Sequence, residues 1–261
     1  MPRPASESSS LTQSAYEQLR ADLLACRLQP SSRLKIGELC DALSVSLSAV
    51  REALSRLTSE GLVVAEPQRG FRVAPISTEE LRDLTEVRAM IEGLCLERAI
   101  AAGDVGWESQ LVAAFHRLSR TPVREPRDPE RMNDAWSVAH AAYHEALVGA
   151  CDSPWLLRLR AMLYAQSERY RRLSVPLAKA VRDLNREHQD IMQAALDRDP
   201  GRAKTLLAQH IELTTRLLLQ QSWSGEAPPV SVRRQARSRL RPASRIPALK
   251  SSRRNQTPAR T

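Results

Sequence analysis

The chain has 261 residues, 42 % of them apolar and only 4 % aromatic, which is enough for two domains with aliphatic cores. Its net charge of +9 is unevenly spread: residues 227–261 hold nine Arg, one Lys and no acidic side chain, which leaves 29 basic and 30 acidic side chains elsewhere. The body is therefore near neutral, and the end reads as a basic arm for phosphate. No run of about 18 uncharged apolar residues occurs, and MPRPASESSS lacks the apolar stretch of a signal peptide, so the expectation is a cytoplasmic protein without a membrane partner. Cys26, Cys40, Cys95 and Cys151 form no CxxC pair, which argues against a zinc ribbon or a redox motif and predicts reduced thiols.

Residues 1–10, rich in Ser and Pro, are expected to be disordered. Helical spacing of Ala15, Leu19, Leu23 and Leu24 predicts a first helix over 11–27, ended by Pro30 and Ser31. A short helix over 36–43, a turn at Ser44–Ser46 and a third helix over 47–59 follow, with Gly61 as its C′ residue. Residues 62–65 and 71–74 read as two strands joined by a turn at Glu66–Gly70. Three helices and a hairpin, in that order, make a winged helix-turn-helix over 11–75.

Pro75–Thr78 is a linker, with Ser77 or Thr78 as the next N-cap. Beyond it only helical periodicity is visible, over 78–102, 107–119, 129–150, 153–173, 177–198 and 200–222. Short connections predict an antiparallel all-helical bundle over 76–222. The fold class is thus mainly α, ending in a disordered basic tail over 223–261.

In the third helix Val50, Ala53, Leu54 and Leu57 form the apolar stripe, and Ser48, Arg51, Glu52 and Ser55 lie opposite. An arginine early in such a helix can reach a guanine edge or a phosphate. Read alone, the charged face would equally suit a solvated surface helix. A basic wing tip of Arg69, Gly70 and Arg72 beside it favours double-stranded DNA.

The stretch SVSLSAVREALSRLTSEGLVVAEPQRGFRVAPIS resembles the DNA-binding domain of the GntR family of bacterial regulators. Val45, Ser46, Val50 to Leu54, Glu60 to Leu62, Arg69, Gly70 and Val73 match that family's core pattern. Two positions depart from it. Leu47 stands where the family usually has a DNA-contacting arginine, and Ser44 replaces the usual turn glycine, at a cost of roughly 1 kcal/mol if the position is left-handed. The residues assigned to DNA are Ser46, Ser48, Arg51, Ser55, Arg56, Arg69 and Gly70. One recognition helix reads few base pairs, so a homodimer on an inverted repeat is expected.

His140 and His144 stand at i and i+4 on one helix, a spacing that suits a shared metal. His188 shares a stripe with Ile191, Met192 and Ala195, and His210 lies beside Leu206, Leu207, Leu213 and Leu217, so three helices aim histidines inward. Each could instead be a hydrogen-bonded core histidine. His116 reads as a surface residue.

Region 78–222 is similar to the FCD effector domain of the FadR-like branch of that family, through LTEVRAMIEGLCLERAI, HAAYHEALVGACDSPWLL, LYAQSERYRRLS, EHQDIMQAALDRD and AKTLLAQHI. The resemblance implies a divalent metal, zinc or nickel, on His140, His144, His188 and His210, with His140 replacing the usual Asp or Asn. Four neutral imidazoles leave the metal charge uncompensated, which invites an anionic ligand. The resemblance further implies Arg88 as a holder of a small carboxylate effector. Without it, Arg88 reads as a surface i,i+4 partner of Glu92. Arg169, Tyr170 and Arg172 line either the same cavity or the bundle surface, and Arg169 is taken as the effector contact. SERYRRLS and GDVGWE resemble regulators that answer to dicarboxylates. Two other functions are a metal-dependent hydrolase or lyase, for which no HExxH or paired acid is present, and an architectural DNA-binding protein led by its tail.

Overall fold

A computed structural model describes residues 5–174 and 182–220. The basic tail, residues 1–4 and the start of the helix expected at 177 lie outside the described residues.

The N-terminal part contains α1 (Ala5–Leu24), β1 (Arg33–Leu34), α2 (Ile36–Leu43), α3 (Leu47–Ser59), β2 (Val63–Glu66) and β3 (Gly70–Val73). The first helix starts at Ala5, not Leu11. Nothing between Pro4 and Leu24 breaks a helix, so the turns fixed by the buried stripe propagate back through the serines. Ala15, Leu19 and Leu23 pack with Val50, Leu54 and Leu57 of α3 and with Leu62, Val63 and Val73 of the strands. The sheet order is β1-β3-β2, all antiparallel, with Val63 opposite Val73 and Leu34 opposite Phe71. Strand β1 was not expected, because two residues carry no period.

Two left-handed residues make the turns. Gly61 (φ +71°) ends α3 while the Leu62 amide donates to the Leu57 carbonyl at 3.0 Å. Ser44 (φ +56°) ends α2, the strained conformation anticipated for a non-glycine there.

The C-terminal part contains α4 (Thr78–Ala102), α5 (Val105–Ser119), β4 (Arg124–Glu125), β5 (Asp128–Met132), α6 (Asp134–Leu147), α7 (Pro154–Ser174), α8 (Leu184–Leu196) and α9 (Pro200–Gln220). Ser77 caps α4 by accepting from the Glu80 amide at 3.0 Å. The helix expected from residue 129 begins only at Asp134. Pro129 lies in β5 of a small hairpin, and Asn133 caps α6 by accepting from the Ala135 amide. Among the described residues the bundle is therefore helical but for this hairpin and the connections. Its core includes Leu96, Leu111, Trp136, Tyr143, Leu147, Ile191 and Leu207. A third cluster of Cys26, Ile76, Leu81, Leu84, Tyr170, Leu173 and Leu218 joins the two parts. The four cysteines are free thiols, and among the described residues no helix is long and apolar enough to cross a membrane.

Candidate functional site

The first site is the exposed face of α3. Ser46 caps the helix, its Oγ accepting from the Ala49 amide at 3.3 Å and lying 2.9 Å from Ser48 Oγ. Ala49, Val50, Ala53, Leu54 and Leu57 are buried, which leaves Leu47, Ser48, Arg51, Glu52 and Ser55 in solvent. The cap thus fixes the helix end while the stripe fixes which side chains project. Arg56 does not join that face. It leans on α1, 3.9 Å from the Tyr16 ring centroid and 2.9 Å from Gln13 Oε1. At the wing, Arg69 is exposed between Gln68 (φ +60°) and Gly70 (φ +89°), a tip without bulk. Arg72 points back, donating from Nε to Glu66 at 3.0 Å.

The second site is a buried cluster of four imidazoles. α6 supplies His140 and His144, α8 supplies His188 and α9 supplies His210, and one nitrogen from each lies within 4.8 Å of the others. Ring centroids are 4.4 Å apart for His140 and His144, and 4.5 Å for His188 and His210. Burial pushes all four imidazoles below the usual histidine range, and neighbouring positive charge adds to this at His140 (Arg171) and at His144. They are therefore neutral imidazoles, the form that can bind a metal ion. His116, by contrast, is exposed on α5.

The outer nitrogens are organised. His140 Nδ1 lies 2.8 Å from the Tyr164 hydroxyl, and His210 Nδ1 lies 2.9 Å from Glu187 Oε2. Arg182 grips Glu187 with two hydrogen bonds of 2.7 and 2.6 Å. Burial alone would raise the Glu187 pKa, but His210 and Arg182 outweigh it and hold the carboxyl at about 2. Such partners orient metal-binding imidazoles. Both nitrogens of His144 and of His188 lack a hydrogen-bond partner, although His188 feels the Leu184 carbonyl. Unsatisfied buried groups cost about 1–3 kcal/mol each. A divalent ion bound by one nitrogen of each histidine would satisfy one of the two on His144 and one of the two on His188, and the all-nitrogen donor set suits zinc or nickel rather than magnesium or calcium.

Beside the histidines lies a cavity of about 30 Å³, space for one or two waters. Its walls include His140, His210, Arg88, Arg171, Thr85 and Thr215. Arg88 does pair with Glu92, Nε to Oε1 at 2.6 Å, but in the interior and not on the surface. Arg169 is not in the cavity. Its guanidinium donates to the Ala74 carbonyl and its own carbonyl accepts from Cys26 Sγ, so it ties α7 to the end of the wing and to the turn after α1. Adjacent residues on a helix point about 100° apart, so of the arginines in SERYRRLS it is Arg171 that enters. Tyr164 is ringed by Arg88, Arg160 and Arg171 at 5.0, 4.9 and 5.5 Å. Arg160 is buried with Nε 3.8 Å from Glu92 Oε2. Sequence reasoning missed Arg160, Arg171 and Tyr164. The available signal was their recurrence at i, i+4, i+7 and i+11 with Ser167 along one face of α7.

The two parts of the chain that carry these sites each match a known family. Residues 11–73 match the family model of bacterial regulatory proteins of the gntR family, and residues 83–213 match the FCD domain. The HTH-type transcriptional regulator BphR of Paraburkholderia xenovorans is 39 % identical over 219 residues, 84 % of this chain and 89 % of its own. The HTH-type transcriptional repressor GlaR of Escherichia coli is 35 % identical over 214 residues, 80 % and 96 % of the two chains. In fold, a GntR regulator from Rhodococcus sp. RHA1 (22 % identity) and E. coli McbR/YncC (19 %) each align with TM-score 0.65 over 81 % of this chain and 98 % of theirs. These families and relatives are regulators and not enzymes, so the histidines do not mark a hydrolase. The chain belongs to the GntR family of bacterial transcriptional regulators, in the branch that joins the winged helix to an FCD effector-binding domain.

Proposed function

We propose that this regulator is a homodimeric repressor that binds an inverted-repeat operator in the cytoplasm and is controlled by a small dicarboxylate taken up beside a zinc or nickel ion on His140, His144, His188 and His210. One observation carries the reading: two of the four clustered histidines, His140 and His210, line one cavity in the FCD domain together with Arg88 and Arg171. When bound, the ion supplies Lewis-acidic charge at the cavity wall. Arg88 and Arg171, on different helices, are paired with Glu92 and Glu168, so an acid with two carboxylates would enter by competing with those side chains for the two guanidinium groups. The hydroxyls of Thr85 and Thr215, also in the lining, are hydrogen-bonded to each other at 2.6 Å. At about 30 Å³ the cavity is too small for such an acid, so binding must part its walls. The repressor sign takes support from GlaR and RspR of E. coli, relatives described as transcriptional repressors.

Helix α7 offers the route from cavity to DNA. Ser167, Tyr170 and Arg171 line the cavity. Between and beside them, Gln166 donates to the Glu60 carbonyl at 2.6 Å and Arg169 donates to the Ala74 carbonyl. A ligand that prefers a displaced α7 thereby biases the winged helix, by no more than its differential affinity for the two arrangements. A thermal-shift screen of C3–C6 mono- and dicarboxylates on zinc-loaded, nickel-loaded and chelator-stripped protein tests the proposal. A dicarboxylate should stabilise the loaded protein and leave the stripped one unmoved.

A further inference from the structure

Leu47 is the first residue of the recognition helix and is 54 % exposed. A single exposed leucine elsewhere would need no explanation. This one stands at the N-terminal end of α3, the end a helix-turn-helix turns to base edges in the major groove, between the cap Ser46 and the outward-facing Ser48. At about 100° per residue, Leu47 and Arg51 point only about 40° apart, one turn from each other. Arg56 points to the opposite flank, where it is held against Tyr16 of α1. The flank carrying Leu47 is therefore clear of α1, and Leu47 belongs to none of the apolar clusters of the fold.

We infer that Leu47 is a specificity-determining residue that reads the 5-methyl group of a thymine in each operator half-site, next to the base or phosphate held by Arg51. An isobutyl group can neither donate to guanine O6 and N7 nor accept from cytosine N4. In the major groove the one base feature it complements is the thymine methyl. Burying both groups removes apolar surface from water on each side, and the contact requires no polar partner. An arginine at this position would select guanine; leucine selects thymine.

The test uses the full chain. Duplexes are selected from a random library with the unmodified protein, and each thymine of the selected site is then replaced in turn by uracil, which removes the methyl and nothing else. One thymine per half-site should weaken binding about fourfold when its methyl is lost, the worth of one buried carbon. Leu47→Ala should bind the thymine site about fourfold more weakly and show no difference between thymine and uracil there. Leu47→Arg should select guanine at that position. Leu47 is exposed and unpacked, so circular dichroism of both variants should match the unmodified chain. The inference is overturned if no single uracil weakens binding, if the thymine–uracil difference survives in Leu47→Ala, or if Arg51→Ala still binds the selected site with full affinity, since α3 would then not be the reading element.

Discussion

Gln166 of α7 donates from Nε2 to the carbonyl of Glu60 at 2.6 Å, and Glu60 is the residue that closes the recognition helix. Glu60 in turn accepts from Tyr16 and from Arg20 of α1. One amide thus meets the point where α1 and α3 of the DNA-reading unit are fastened, from the helix that also lines the cavity. Gln166→Ala should leave effector affinity unchanged while reducing the effector's influence on DNA affinity by about 0.5–2 kcal/mol. Paired titrations, effector alone and effector with operator, measure that coupling. An unchanged coupling would remove this contact from the route.

Arg51 is exposed in the second turn of α3, and among the described residues no carboxylate neutralises it. Arg51→Ala should cost about 1–3 kcal/mol in operator binding and relax sequence preference, with thermal stability unchanged. Fluorescence anisotropy with specific and scrambled duplexes measures both. Equal loss on the two duplexes would reassign Arg51 to phosphate.

Arg88 and Glu92 form an ion pair inside the bundle, with Glu92 fully enclosed. Removing one partner strands the other charge, so Arg88→Ala should destabilise the fold by about 3–5 kcal/mol in urea titration. The lower end is favoured because Arg160 remains 3.8 Å from Glu92. Glu92→Gln in the same background should recover part of the loss.

Ser44 holds φ +56° at the end of α2 and is exposed. Glycine relieves the left-handed strain but gains freedom in the unfolded chain, so Ser44→Gly should raise stability by about 0.5–1 kcal/mol. A calorimetric shift of a few degrees upward is the expected reading. A downward shift would mean that the serine stabilises the turn by a contact that the strain argument ignores.

Much of this was legible because it repeats with a period. The stripes of α1 and α3, the cap at Ser77 and the C′ glycine at Gly61 follow local rules, and the four histidines announce themselves by sitting on apolar faces. What stayed hidden follows tertiary neighbours. Arg160 and Arg171 look like solvent-facing charges until Glu92 and Glu168 are seen to accept them in the interior. Arg169 and Arg171 are two residues apart, and only the packing of α7 decides which faces the end of the wing and which the cavity. Strand β1 has two residues, too few for alternation to show. The hairpin 124–132 is mostly charged, so its pattern neither opposed nor supported a helix except at Pro126 and Pro129.

The account rests on His188, whose two nitrogens lack partners in the interior between His210 and Tyr143. The decisive measurement is metal content by elemental analysis after zinc or nickel reconstitution, together with operator affinity as a dicarboxylate is added, for the unmodified chain and for His188→Ala. We predict one metal per chain and dicarboxylate-driven release of DNA for the unmodified protein. For His188→Ala we predict metal loss of at least tenfold in affinity, no response to the acid and intact DNA binding. A metal-free unmodified protein after reconstitution, or a His188→Ala variant that still releases DNA on addition of the acid, would contradict the account.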